Sequence, residues 1–169
     1  MAINIGAGAI DRSTSSSISD RTVIDLTSPS DGTGTLAFFS LWLNSSSTSV
    51  KMGTFYGSGD TWTARDSELL GSVTSGSKQT FSGLNCAVSL NDIIGVYGSS
   101  GGVERDSSGG SGVRLALGDK FSGTNTFSTL LSGDKISLEG TSELPVGKKW
   151  NGITISKWNG VTVSKINGV

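Results

Sequence analysis

TLAFFSLWL, residues 35–43, is the stretch on which the fold of this chain turns. Only Ser40 interrupts its apolar run. A nearly continuous apolar segment of strand length predicts a β-strand buried on both faces, with Trp42 in the core. It falls well short of the ~18 consecutive apolar residues of a membrane helix, and no other window comes closer.

Outward from that run, apolar and polar residues alternate with the period of strands rather than helices. The pattern predicts strands at 3–5, 22–26, 50–56, 69–73, 78–81, 87–90, 93–97, 113–117 and 135–138. Turn chemistry separates them: Ser30-Asp31-Gly32, Gly57-Ser58-Gly59-Asp60, Ser75-Gly76-Ser77, Asn91-Asp92 and Ser132-Gly133-Asp134. Residues 13–19 and the glycine-rich 99–112, with Glu104, Arg105 and Asp106 at its centre, read as long loops. So many short strands at this spacing predict an all-β fold, an antiparallel β-sandwich or jelly-roll body.

Composition agrees. Of 169 residues, 31 are Ser, 17 Thr and 25 Gly, while charged residues make up 16% and there are 2 Pro. A disordered chain would carry more charge and proline. Histidine is absent, which excludes Ser-His-Asp and Cys-His nucleophiles and His-ligated zinc. The one cysteine, Cys86, can form no internal disulfide and reads as a small buried residue. A net charge of −1 argues against a nucleic-acid partner. The opening Met1-Ala2-Ile3-Asn4-Ile5-Gly6 lacks the basic start and apolar core of a signal peptide, so synthesis in the cytoplasm without export is expected.

Past Pro145 the character changes. Residues 149–169 read KWNGITIS, KWNGVTVS, KINGV, a period of eight carried for two and a half copies. The expected organisation is a body at 1–144 and a repeat tail at 145–169 that mediates oligomerisation or anchoring. Asn-Gly is the strongest short hairpin signal, because a type I′ turn needs φ > 0 at both central residues. A two-residue turn sets Trp150 opposite Ile153 and Trp158 opposite Val161, but successive pairs then fall on opposite faces of the ribbon. The alternative stacks the copies rung on rung, which needs about three copies for a stable core. Either way Trp150, Ile153, Ile155, Trp158, Val161, Val163 and Ile166 are the expected assembly residues. The tail holds four lysines and no acid, giving +4, while residues 1–144 carry −5. A basic, apolar tail on an acidic body points to binding a sister subunit, a trimer for example, or a larger assembly.

At INIGAGAIDR (residues 3–12), MGTFYGSGDTWTARD (52–66), NDIIGVYG (91–98) and the Lys-x-Asn-Gly-Val tail, the chain resembles a loose group of phage and prophage virion-type proteins. The resemblance implies a structural or attachment role on a virus particle, as a capsid decoration, head-fibre or tail-associated subunit, with other virion proteins as partners. It supplies no catalytic motif.

Two other function classes compete. Glycoside hydrolysis needs only two carboxylates, and Asp60, Asp66 and Glu68 are neighbours, as are Glu104 and Asp106. All lie in or beside turn-like segments, so no catalytic residue is assigned. A carbohydrate-binding, adhesin-like module would stack aromatic rings on a surface glycan; Phe55, Tyr56, Asp60 and Trp62 form the candidate patch, and core packing competes for Trp62. Asp60, Asp92 and Asp134 sit beside glycine turns without calcium-loop spacing, so no metal or cofactor is expected.

Overall fold

The computed structural model describes residues 2–142 and the strand backbones at 156–158 and 161–163. The strands of the body are β1 (Asn4–Ile5), β2 (Thr14–Ser17), β3 (Arg21–Asp25), β4 (Gly34–Ser45), β5 (Ser47–Ser58), β6 (Thr61–Val73) and β7 (Lys78–Val88). They continue as β8 (Ile93–Gly98), β9 (Gly102–Asp106), β10 (Val113–Leu117), β11 (Thr124–Thr126), β12 (Thr129–Leu131), β13 (Lys135–Ile136) and β14 (Leu138–Thr141). No helix occurs among the described residues.

Two antiparallel sheets form. Sheet one runs β1-β14-β4-β9-β13, with β2 also on β9 and β7 on β4; sheet two runs β11-β6-β5-β8-β3-β10-β12. At one crossing a single residue carries the chain between them: Ser46 lies between β4 in sheet one and β5 in sheet two. The main core lies between the sheets, where Ile5, Phe39, Leu41, Leu43 and Leu138 of sheet one meet Val23, Val50, Met52, Ile94 and Val96 of sheet two. This is the all-β sandwich that the strand spacing predicts.

Sheet two also buries its other face. Ile24 and Ile93, each adjacent in sequence to a main-core residue, join Phe55, Trp62 and Phe127 in a second cluster, with Phe121 against it. Successive side chains of a strand point to opposite faces, so this cluster sits on the far side of sheet two. The segment after β10 covers it, pairing β11 with the start of β6 and returning as β12 beside β10. Gly95 makes room for it: a Cβ there would lie 2.7 Å from Phe55 Cε2 and 2.9 Å from Ile24 Cγ2.

Two expectations change. First, β4 is fully buried on one face only: Leu36, Phe39, Leu41 and Leu43 are inside, whereas Ala37, Phe38 and Trp42 are half-buried. A register irregularity between Leu36 and Phe38 breaks the alternation, so Phe38 and Trp42 fall on the outer row of sheet one rather than in the core. Second, the expected loops 13–19 and 99–112 contain β2 and β9, which pair with each other from Thr14↔Arg105 to Ser17↔Gly102. Their serines and glycines show too little apolar contrast to announce a strand.

Arg12 fixes the junction where the chain at 135–141 passes from β9 to β4. Its side chain is 2% exposed. Nε donates to Ser137 Oγ at 2.8 Å, Nη1 to Asp106 Oδ2 at 2.7 Å, and Nη2 to the Ala7 and Gly8 carbonyls at 2.9 and 3.1 Å. Ser137 donates through Oγ to Ile10 O and through its amide to Glu104 O, and its own carbonyl accepts from Trp42 N. Gly6 permits the approach of the N-terminal segment: at φ +94°, a Cβ there would fall 2.4 Å from Leu138 O.

Candidate functional site

The candidate ring patch lies on the hairpin of β5 and β6. Ser58 pairs with Thr61 around Gly59-Asp60, and Gly59 at φ +59° supplies the left-handed first position that a tight hairpin turn needs. The structure separates the four residues. Phe55 is fully buried, tilted against Phe121 at 5.0 Å and edge-on to Phe127 at 5.7 Å between ring centroids. Trp62 is 7% exposed and its Nε1 donates to Gly59 O at 3.0 Å. Neither ring offers a face for stacking, so core packing is the role the geometry gives Trp62.

Tyr56 is 45% exposed, with the Arg65 guanidinium 4.7 Å above its ring. Arg65 also makes a two-pronged ion pair with the buried Asp92, at 2.5 and 3.0 Å. Asp60 is exposed and accepts from Arg114 Nη1 at 2.5 Å. Arg114 donates as well to Phe127 O, which fastens the covering segment to the hairpin tip.

Asp66 and Glu68, singled out in the sequence, are braces. Asp66 accepts from its neighbour Ser67 N and from Ala87 N, both at 2.8 Å, and Glu68 accepts from Asn85 N at 2.9 Å. Both therefore reach from β6 in sheet two to the backbone of β7 in sheet one, closing one side of the sandwich. Thr54 Oγ1 adds a bond to Ala87 O at 2.7 Å. Asp106 is committed to Arg12, whose hydrogen bond holds its carboxyl below the usual range. Asp134 pairs with Arg105. A hydrolase needs two carboxylates facing a shared cleft; Asp66, Glu68 and Asp106 instead serve backbone amides and a guanidinium. Among the described residues, no group of three His, Cys, Asp or Glu side chains is placed to hold a metal ion.

Asp25 is the group that sequence reasoning missed. It is buried at the end of β3, its carboxylate accepting from Thr27 N at 2.8 Å and Ile136 N at 2.9 Å. Burial pushes its pKa up to about 6, opposed by those amides and by Arg12. Nothing in Ile24-Asp25-Leu26 distinguishes it from a surface acid. Cys86 is fully buried, and burial pushes its thiol up to about 12, which leaves it unreactive.

In the tail, β15 (Ser156–Trp158) pairs with β16 (Val161–Val163) in antiparallel register, Ser156↔Val163 and Trp158↔Val161. That is the register of a two-residue Asn-Gly hairpin, the first of the two arrangements the repeat allows. Of the expected assembly residues, Trp158, Val161 and Val163 belong to this pair. Trp150, Ile153, Ile155 and Ile166 lie outside the described residues, as does the expected boundary at 144/145. No protein-family model matches the chain, and no curated protein matches it.

Proposed function

We propose that this chain is a non-enzymatic structural subunit of a virus particle, a phage capsid-decoration, head-fibre or tail-associated component. Its sandwich body faces solvent, and its Lys-x-Asn-Gly repeat joins it to sister subunits or to the particle. The observation that carries this reading is the pairing of β15 with β16 in hairpin register within a repeated, basic segment. Two strands of three residues each are marginal in water by themselves and gain stability against a neighbour's surface. Asp66, Glu68 and Asp106, which would otherwise suggest catalysis, serve as internal braces, which suits a structural part. The resemblance of residues 3–12, 52–66 and the tail to phage virion-type proteins adds the particle context.

The test is the solution mass, by light scattering, of the full chain and of a chain ending at Glu143. The expected result is an oligomer that falls to a monomer on truncation, and loss of particle binding when residues 148–169 are deleted. A truncated protein that still decorates particles at full occupancy sinks the proposal.

A further inference from the structure

We propose that the free edge of β7 is the docking site for the Lys-x-Asn-Gly hairpin of a second copy of this chain, added as further strands of sheet one. This rests on the assembly role proposed for the tail, and it names the surface that role requires.

Among the described residues, β7 pairs with β4 and with no strand on its other side. The other outer strands of sheet one are short: β1 and β13 have two residues each and β2 four, against eleven in β7. A long unpaired edge is a ready template for another chain, and proteins normally blunt such edges with charge, proline or bulges. Here the far half is blunted. Asp66 and Glu68 occupy the amides of Ala87 and Asn85, and the register with β4 shifts between Ser82 and Cys86. The near half, Lys78 to Ser82, carries no such device beyond Lys78, which is paired with Glu139 at 2.6 Å. Gln79, Thr80, Phe81 and Ser82 bear neither charge nor proline.

Charge selects the occupant. Asp66 and Glu68 line one end of this edge, on a body of charge −5, and the tail brings four lysines with no acid. The tail's alternating Ile-Thr-Ile and Val-Thr-Val are strand sequences, and its three-residue strands fit the five open residues. Backbone pairing would supply affinity, and the acidic rim would set orientation.

Thr80 and Ser82 are exposed neighbours of the strand that would be added. The experiment compares full-length Thr80→Lys/Ser82→Lys with full-length Thr80→Glu/Ser82→Glu by light scattering across a dilution series. Both variants lose the same Thr80–Ser40 hydroxyl contact and differ only in sign of charge, so each controls for the folding of the other. The lysine pair is expected to raise the dissociation constant of the oligomer by about tenfold or more. The glutamate pair should leave it unchanged or lower it, with a gain that disappears at high salt. If neither variant changes the mass while truncation at Glu143 still yields a monomer, the tail docks elsewhere: this inference fails and the assembly role stands. If the variants dissociate the oligomer but truncation does not, β7 pairs with itself and both proposals fail. Equal weakening by both signs also overturns the inference.

Discussion

Replacing Arg12 by alanine should be among the most damaging single changes in the body. The guanidinium is almost wholly enclosed and serves Ser137 Oγ, Asp106 and the carbonyls of Ala7 and Gly8. Its removal leaves Ser137 without one partner at a site that is 0% exposed, and strands two backbone acceptors. Asp106 is 30% exposed and can recover solvation; buried Asp25 loses its nearby positive charge. Breaking a buried ion pair from one side costs about 3–5 kcal/mol, and each buried acceptor left unmade adds about 1–3 kcal/mol before relaxation. Water entering from the Asp106 side offsets part of this, so the expected loss is about 4 kcal/mol. The assay is the denaturant midpoint with its slope, on chains ending at Glu143 so that assembly does not contribute. Arg12→Lys should recover less than half of the loss, since one ammonium cannot span acceptors fixed on three segments. A loss under about 1 kcal/mol for Arg12→Ala would refute the account of the junction.

Three further outcomes follow from the geometry. Asp25 binds its proton more readily folded than unfolded, since burial lifts it from 3.8 to about 6. Stability should therefore rise as pH falls from above 6 towards 4, by up to roughly 3 kcal/mol, and Asp25→Asn should flatten that slope in a thermal-melt series. Asp31, held down by hydrogen bonds from Asn4, and Asp106, held down by Arg12, act oppositely: their contribution is lost as pH falls below 3.8, which sets a maximum between the two ranges. Gly95→Ala should cost about 1–3 kcal/mol by overpacking Phe55 and Ile24; Gly133→Ala, whose Cβ would meet open space at φ +78°, should cost about 1 kcal/mol from backbone strain alone, as read from denaturant midpoints. Cys86 should resist an aromatic disulfide reagent in the folded protein and react fully in denaturant; rapid labelling under native conditions would contradict its burial.

What the sequence showed and hid follows from where burial happens. The β-branched runs at Thr22–Asp25 and Ile93–Tyr97 announce strands in the sequence, and both strands are buried on both faces. Asp66 and Glu68, which the sequence sets beside turn-like segments, lie two apart within β6 and both reach β7. The outer position of Phe38 and Trp42 depends on a register shift that only the partner strand reveals. Phe55 and Trp62 read as a surface patch because their cover comes from Phe121 and Phe127, about sixty residues later in the chain. β2 and β9 were hidden because the strands they pair with are distant in the chain, β2 on β9 and β9 on β2, β4 and β13: neither TSSS nor GVERD announces itself by propensity.

The pairing of β1 with β14 has a consequence for biosynthesis. Asn4 lies opposite Thr141, and Ile3 N donates to Ser142 Oγ at 2.8 Å, so the first strand of the body has no neighbour in sheet one until its last strand has been made. On a chain emerging from the ribosome, Ile5 and the Arg12 guanidinium lack these partners until residues 137–141 have been made, and closure of the sandwich is a long-range event. The Lys-x-Asn-Gly segment is synthesised immediately afterwards. If the tail has the assembly role proposed for it, the chain would gain that segment only once its own first and last body strands can meet, which limits the time during which a half-made body could be captured by a neighbour.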